Sequence, residues 1–112
     1  RVAVSSCYFN SRYRYCWPEG SWTDAANHLL DGEVASLICP RALNIEAGRC
    51  DTIATPAGAV REAKPVQARY EALGLSDRFH FGVFDGGHEM ARAADGGRCL
   101  RGHLGVGPGG EP

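Results

Sequence analysis

Two short motifs with acid and histidine residues follow apolar, strand-like segments of this 112-residue sequence. The first motif is GRCD at positions 48–51, and the second is DGGHE at positions 85–89. Ligands bind beyond the carboxyl ends of parallel strands, so Asp51 and His88 are expected to meet if their strands are neighbours. A carboxylate beside a histidine fixes the imidazole tautomer and lets the other ring nitrogen act as a general base. The motifs therefore predict an acid–histidine pair made of Asp51 and His88.

Other residues offer competing interpretations of the same chemistry. Asp51 could instead be a turn residue, since Asp often bonds local backbone amides in loops. Asp85 is a rival acid, but its closeness to His88 in sequence favours a role in shaping the turn. Glu89 is expected in the first turn of a following helix, where negative charge suits the helix dipole. His80 is expected to be a hydrogen-bonded strand residue.

Two further groups of residues carry weaker signals. His28 and His103 lack a nearby acidic or metal-binding pattern. Four aromatic residues in the segment after the first apolar run could line a sugar- or acyl-binding cleft, or could simply pack within a loop; they are Tyr13, Tyr15, Trp17 and Trp22.

The elements that must position the pair alternate between strand and helix. Apolar patterns predict strands over 1–8, 41–47 and 79–84, and helices over 23–30, 33–38 and 57–73. The pair Asp31-Gly32 is expected to end the first helix, Pro65 to kink or restart the third, and Gly74 to cap it. The order predicts an α/β fold of about three parallel strands with crossover helices.

Composition narrows the class of protein. Lys and Arg number 12 against 13 Asp and Glu, a net charge of −1, so neither a nucleic-acid partner nor a polybasic membrane contact is expected. No run of 18 apolar residues occurs, which also argues against a membrane span. The five cysteines contain no C-x-x-C pair, and we expect free thiols that behave as small buried hydrophobic residues in a reducing, cytoplasmic type of compartment.

A glycine-rich segment closes the sequence. Seven of the 15 glycines lie between positions 96 and 110, so we divide the chain into a folded part, 1–94, and a disordered or aberrant tail, 95–112. The tail matches G-x-G-x-x-G at 105–110, but a dinucleotide site needs a strand before the motif and a helix after it. No cofactor is expected.

Three stretches together resemble the C-terminal part of an α/β-hydrolase. They are PRALNIEAGRCDTIATP, ARYEALGLSDRF and FHFGVFDGGHE, and the similarity is greatest to the acetyl-xylan-esterase and dienelactone-hydrolase-like branches. Those families have Pro-Arg-Pro-Leu where this chain has PRAL at 40–43, an acid turn where it has 48–51, and a Gly-Gly-His turn where it has 86–88. The resemblance spans residues 1–90. It implies that Asp51 and His88 are the acid and the base of a Ser-His-Asp triad, with a small-molecule ester as substrate of the full-length parent.

The nucleophile of such a triad is missing from the 112 residues. None of the six serines lies in the Gly-x-Ser-x-Gly elbow that exposes the nucleophile in α/β-hydrolases. We therefore expect a hydrolase fragment, an esterase or deacetylase part that is inactive alone, whose tail reflects a fragment boundary or a shifted reading frame. The alternatives are a fragment of a prolyl-oligopeptidase-like peptidase and a small, non-enzymatic α/β interaction domain.

Overall fold

Three parallel strands form the sheet of this protein. The computed structural model describes residues 1–12, 24–91 and 102, and its strands are β1 (Val2–Ser6), β2 (Ala42–Gly48) and β3 (Phe79–Phe84). Their order in the sheet is β1-β2-β3. The central strand, β2, runs parallel to both of its neighbours and is hydrogen-bonded to each. All three carboxyl ends therefore lie at one edge of the sheet. The predicted α/β class with three parallel strands is confirmed.

The helices connect these strands and supply the core. They are α1 (Ala25–His28), α2 (Asp31–Ser36) and α3 (Pro56–Ala72), followed by a 3-10 turn at Ser76–Arg78. The largest fully buried side chains are Leu43 and Ile45 of β2 with Val66 and Tyr70 of α3. The core therefore joins the central strand to the long helix that leads from β2 to β3.

The buried face of α3 is turned slightly from the face that the sequence spacing predicts, which is Val60, Ala63, Val66, Tyr70 and Leu73. Ala63, Val66 and Tyr70 are buried, but Val60 and Leu73 are 39% and 56% exposed. Ala59, one position earlier than Val60, is fully buried instead. Ala59 thus belongs to the core cluster that also contains Leu43 and Ile45 of β2.

The helix α2 begins where the sequence predicted a helix end. Asp31 and Gly32 are its first residues, because the Glu33 carboxylate accepts the Leu30 amide and the buried Glu62 of α3 accepts the Gly32 amide. These bonds satisfy amide groups that a helix start leaves without partners. The acceptor for the Gly32 amide, Glu62, belongs to another helix 30 residues away, so local helix propensity could not predict this start.

The helix α3 runs without a break through Pro65. Pro65 cannot donate a backbone hydrogen bond, yet the helix extends from Pro56 to Ala72. Its ring packs closely on α2: a Cβ added at Gly32 would lie 2.9 Å from Pro65 Cγ. The helix ends as predicted, with Gly74 at φ +70° and its amide donated to Glu71 O. Of the two outcomes predicted for Pro65, a kink or a restart, the restart was wrong, and tertiary packing against α2 supports the continuous helix.

Several predictions fall partly or wholly outside the described residues. The aromatic segment at 13–23, His103 and nearly all of the tail at 95–112 belong to this group. The helix expected after His88 does so only beyond residue 91; residues 88–91 are not helical, so the prediction that Glu89 lies in the first turn of a helix was wrong. Cys7 is buried, but Cys50 is exposed, so the expectation of buried thiols was wrong for Cys50. No helix in the described ranges has the length and apolar character needed to cross a membrane.

Candidate acid–histidine site at the sheet edge

Asp51 and His88 meet at the carboxyl edge of the sheet. Asp51 lies three residues after β2 and His88 four residues after β3, and Asp51 Oδ2 is 2.9 Å from His88 Nδ1. The Asp51 side chain is fully buried, whereas 35% of the His88 side chain is exposed. The arrangement places a shielded acid behind a histidine that solvent can reach.

Contacts between the two turns hold the pair together. The β2–β3 ladder continues past the strands, since the Arg49 amide donates to Phe84 O and the Cys50 amide donates to Gly86 O, both at 2.9 Å. Gly48 permits this approach, because an added Cβ would lie only 2.1 Å from Gly87 O. The glycine that ends β2 therefore lets the histidine turn lie directly on it.

The carboxylate of Asp51 is held by both of its oxygens. While Oδ2 faces His88, Oδ1 accepts the amides of Ile53 and Ala54 at 2.8 and 3.0 Å. Burial alone would raise the pKa of Asp51, but the hydrogen bonds from His88 and from these two amides outweigh it and leave the pKa below its ordinary value. Asp51 therefore serves as a turn residue and as the histidine's partner, so the two interpretations of the sequence hold together.

The tautomer of His88 follows from this charge. An ionised carboxylate only accepts hydrogen bonds, so Nδ1 must carry the proton that lies between His88 and Asp51. In the neutral ring this leaves the lone pair on Nε2. The pair is thus arranged to present Nε2 as a base and to stabilise the imidazolium once it forms.

The rival acid lies elsewhere. Asp85 is exposed, and its Oδ1 accepts a hydrogen bond from Arg49 Nε at 2.7 Å. It therefore links its own turn to the turn after β2 through the Arg49 side chain. His80 is exposed on β3, and no described residue hydrogen-bonds its ring. His28, for which no acidic neighbour was expected, has Asp24 Oδ2 at 3.7 Å from its Nε2.

Cys7 is a third member of the site, and the sequence analysis missed it. It directly follows β1, is 3% exposed, and has φ +59°, a value uncommon for a residue other than glycine. Its Sγ lies 3.2 Å from Glu89 O and 3.5 Å from Gly87 O, two acceptors for its single thiol proton. Its Sγ, a carboxylate oxygen of Asp51 and a ring nitrogen of His88 all lie within 4.8 Å of one another. The strand-end rule that predicted Asp51 and His88 applies to β1 as well, but the first strand was predicted to run to residue 8, two residues beyond its observed end at Ser6, which placed Cys7 inside the strand.

The ionisation of Cys7 differs from that of a reactive cysteine. Burial raises the pKa of the Cys7 thiol, and the nearby Asp51 carboxylate raises it further, against smaller opposing effects of backbone hydrogen bonds. The thiol form is therefore favoured at neutral pH. Since the thiolate is the nucleophilic form, Cys7 is poorly suited to replace the missing serine.

Two more residues support the histidine segment. The Tyr8 ring lies edge-on to the His88 ring, with centroids 5.8 Å apart and planes at 68°. Glu46 of β2 is buried, and its Oε1 accepts the Ala91 amide at 3.1 Å and the Ser6 hydroxyl. Glu46 thus ties the chain beyond His88 back to the central strand.

The chemistry available at this edge is proton transfer by an oriented imidazole. No hydrogen bond joins His88 to a serine of the described residues, so the geometry contains an acid and a base without a paired hydroxyl nucleophile. No family model, curated protein or solved structure matches the chain.

Proposed function

We propose that Asp51 and His88 are the acid and the base of a serine hydrolase of the esterase or deacetylase class. The observation that carries the proposal is the 2.9 Å contact between Asp51 Oδ2 and His88 Nδ1, at the ends of adjacent parallel strands. The acid precedes the histidine in the chain, which is their order in α/β-hydrolases. The resemblance of residues 1–90 to that family supports the same assignment.

In this mechanism His88 moves protons and Asp51 stabilises its charged form. His88 Nε2 takes the proton of a serine hydroxyl as that oxygen attacks the ester carbonyl, and Asp51 stabilises the imidazolium that results. His88 then donates the proton to the leaving alcohol and afterwards deprotonates a water that cleaves the acyl-enzyme. Peptidases and thioesterases use the same acid–histidine pair, so other parts of the site determine which leaving group, and hence which class of substrate, the enzyme accepts.

The serine in this proposal belongs to polypeptide outside the 112 residues. We therefore expect no His88-dependent turnover of p-nitrophenyl acetate by the 112-residue chain. Turnover that is present in the wild-type chain and disappears in His88→Ala would contradict this, because the nucleophile would then lie within the sequence.

The decisive experiment restores the missing part. The genomic reading frame is searched upstream for an in-frame Gly-x-Ser-x-Gly, and the extended protein is assayed with acetyl esters, thioesters and peptide substrates. We expect ester hydrolysis that falls by roughly 10⁴-fold or more in His88→Ala and about 10⁴-fold in Asp51→Asn. His80→Ala, an exposed histidine on β3, should retain activity. Hydrolysis that is insensitive to His88, or a frame without the serine motif, would refute the proposal.

A further inference from the structure

Cys7, Asp51 and His88 form a cluster of three different metal-ligating side chains, one from the end of each strand. One sulfur, one carboxylate oxygen and one imidazole nitrogen lie within 4.8 Å of one another. We propose that these three residues bind a thiophilic divalent transition-metal ion of the Zn²⁺ type. The metal-bound cluster and the acid–base pair are alternative uses of Asp51 and His88, and metal binding is tested below without any hydrolase assay.

The donor atoms select the class of ion. Thiolate and imidazole favour Zn²⁺ and related ions, whereas Mg²⁺ and Ca²⁺ prefer oxygen donors. Three protein ligands with a fourth position left to water is the usual composition of an accessible zinc site. The exposed part of the His88 side chain leaves one side of the cluster open to solvent.

The spacing of the ligands fits a tetrahedral ion with small adjustments. Ligand atoms at zinc bond lengths of 2.0–2.3 Å lie about 3.3–3.7 Å apart in a tetrahedron. The distance between Asp51 Oδ2 and His88 Nδ1, 2.9 Å, is slightly shorter than this range. The three ligand atoms lie up to 4.8 Å apart, so the most distant pair has to come closer by roughly 1 Å. Rotation of the Cys7 side chain supplies a movement of this size.

The surroundings support the ligands and balance the charge. Asp51 is oriented by the Ile53 and Ala54 amides, the kind of outer contact that fixes a metal ligand. On binding, the thiol proton that now points to Glu89 O leaves to solvent, and the imidazole proton resides on the ring nitrogen not bound to the ion. A thiolate and a carboxylate then offset the two positive charges of the ion.

The test is titration of the 112-residue protein with Zn²⁺, and with Co²⁺ as the spectroscopic probe. We expect one saturable site and a thiolate-to-cobalt charge-transfer absorption, with no competition from Mg²⁺. Cys7→Ser and His88→Gln should each weaken Zn²⁺ binding at least about tenfold, since even outer contacts of metal ligands matter that much. The matched controls Cys50→Ser and His80→Gln change the same residue types at exposed positions and should bind as the wild type does.

Each outcome decides the proposal. Absence of saturable Zn²⁺ binding, binding unchanged in Cys7→Ser, or charge-transfer absorption lost in Cys50→Ser would overturn it. A second measurement needs no variant: Zn²⁺ should slow alkylation of Cys7 more than that of Cys50, as followed by peptide mass spectrometry. Equal alkylation of Cys7 with and without Zn²⁺ would also overturn it.

Discussion

Gly48 lies directly against the carbonyl group of Gly87, so that an added Cβ at Gly48 would be 2.1 Å from that oxygen. Real Cβ atoms do not approach a backbone oxygen so closely. The absence of one side chain at the end of β2 therefore sets the position of the turn that carries His88. This turn also meets Cys7, whose Sγ lies 3.5 Å from Gly87 O.

Replacement of Gly48 should disturb the site more than replacement of a neighbouring strand glycine. In Gly48→Ala the histidine turn has to move away, and we expect a loss of about 1–3 kcal/mol in the free energy of unfolding. The NMR signal of the hydrogen-bonded Nδ1 proton of His88 should also weaken or vanish. Gly82→Ala is the matched control, because nothing lies within 4 Å of its added Cβ. Equal effects of the two substitutions would refute this account of the turn.

Lowering the pH should reduce the free energy of unfolding, in part because Asp51 becomes protonated. Its pKa is lowered in the folded protein, so its stabilising contribution is complete above the ordinary Asp pKa of about 4 and is lost as the pH falls through the folded value. Urea unfolding at a series of pH values should therefore show a steeper loss below about pH 4 in the wild type than in Asp51→Asn. Asp85→Asn removes an exposed carboxylate of the neighbouring turn and should keep the wild-type profile. Parallel profiles for the wild type and Asp51→Asn would contradict the prediction.

Cys7 and Cys50 should differ in their reaction with alkylating agents. Cys7 is buried and the pKa of its thiol is raised chiefly by burial, whereas Cys50 is exposed. Iodoacetamide needs an accessible thiolate, so we expect Cys50 to be modified severalfold faster at neutral pH without added metal. Peptide mass spectrometry of timed samples measures both rates. The difference should disappear in denaturant, and faster modification of Cys7 in the native protein would refute the prediction.

Glu46 should anchor the segment that follows His88. Its Oε1 accepts the Ala91 amide and the Ser6 hydroxyl in a buried setting. Glu46→Ala leaves both donors without this acceptor, and we expect a loss of about 1–3 kcal/mol in unfolding free energy. Glu46→Gln keeps a side-chain oxygen and should recover most of it. If Glu46→Gln were as unstable as Glu46→Ala, the negative charge, and not the acceptor, would matter.

The parts that could be predicted from sequence are those set by local patterns. Strand β3 has the predicted bounds because a run of strand-forming residues, three phenylalanines and Val83, ends at the turn residues Asp85 and Gly86. The pairing of Asp51 with His88 followed from one topological rule, that parallel strands present their carboxyl ends together. Gly74 caps α3 for an equally local reason, its tolerance of positive φ.

The parts that could not be predicted depend on distant contacts. The start of α2 rests on Glu62, 30 residues away, and the course of α3 through Pro65 depends on packing against α2. Cys7 was hidden because Tyr8 and Phe9 look like a continuation of the strand, although the backbone turns one residue earlier. A positive φ at a cysteine leaves no trace in the sequence.

The three residues of the site, Cys7, Asp51 and His88, follow three parallel strands. Parallel strands need long crossover connections, because a hairpin joins only antiparallel strands. Asp51 and His88 are 37 positions apart, and Cys7 and Glu89 are 82 apart. Such non-local contacts close long loops, which makes them slow to form during folding. The complete cluster requires both crossovers to have packed, because Cys7 follows β1 while Asp51 and His88 follow β2 and β3. The hydrogen-bonded proton of the His88 ring is thus a single-atom reporter, in refolding experiments, for the crossover that pairs β2 with β3.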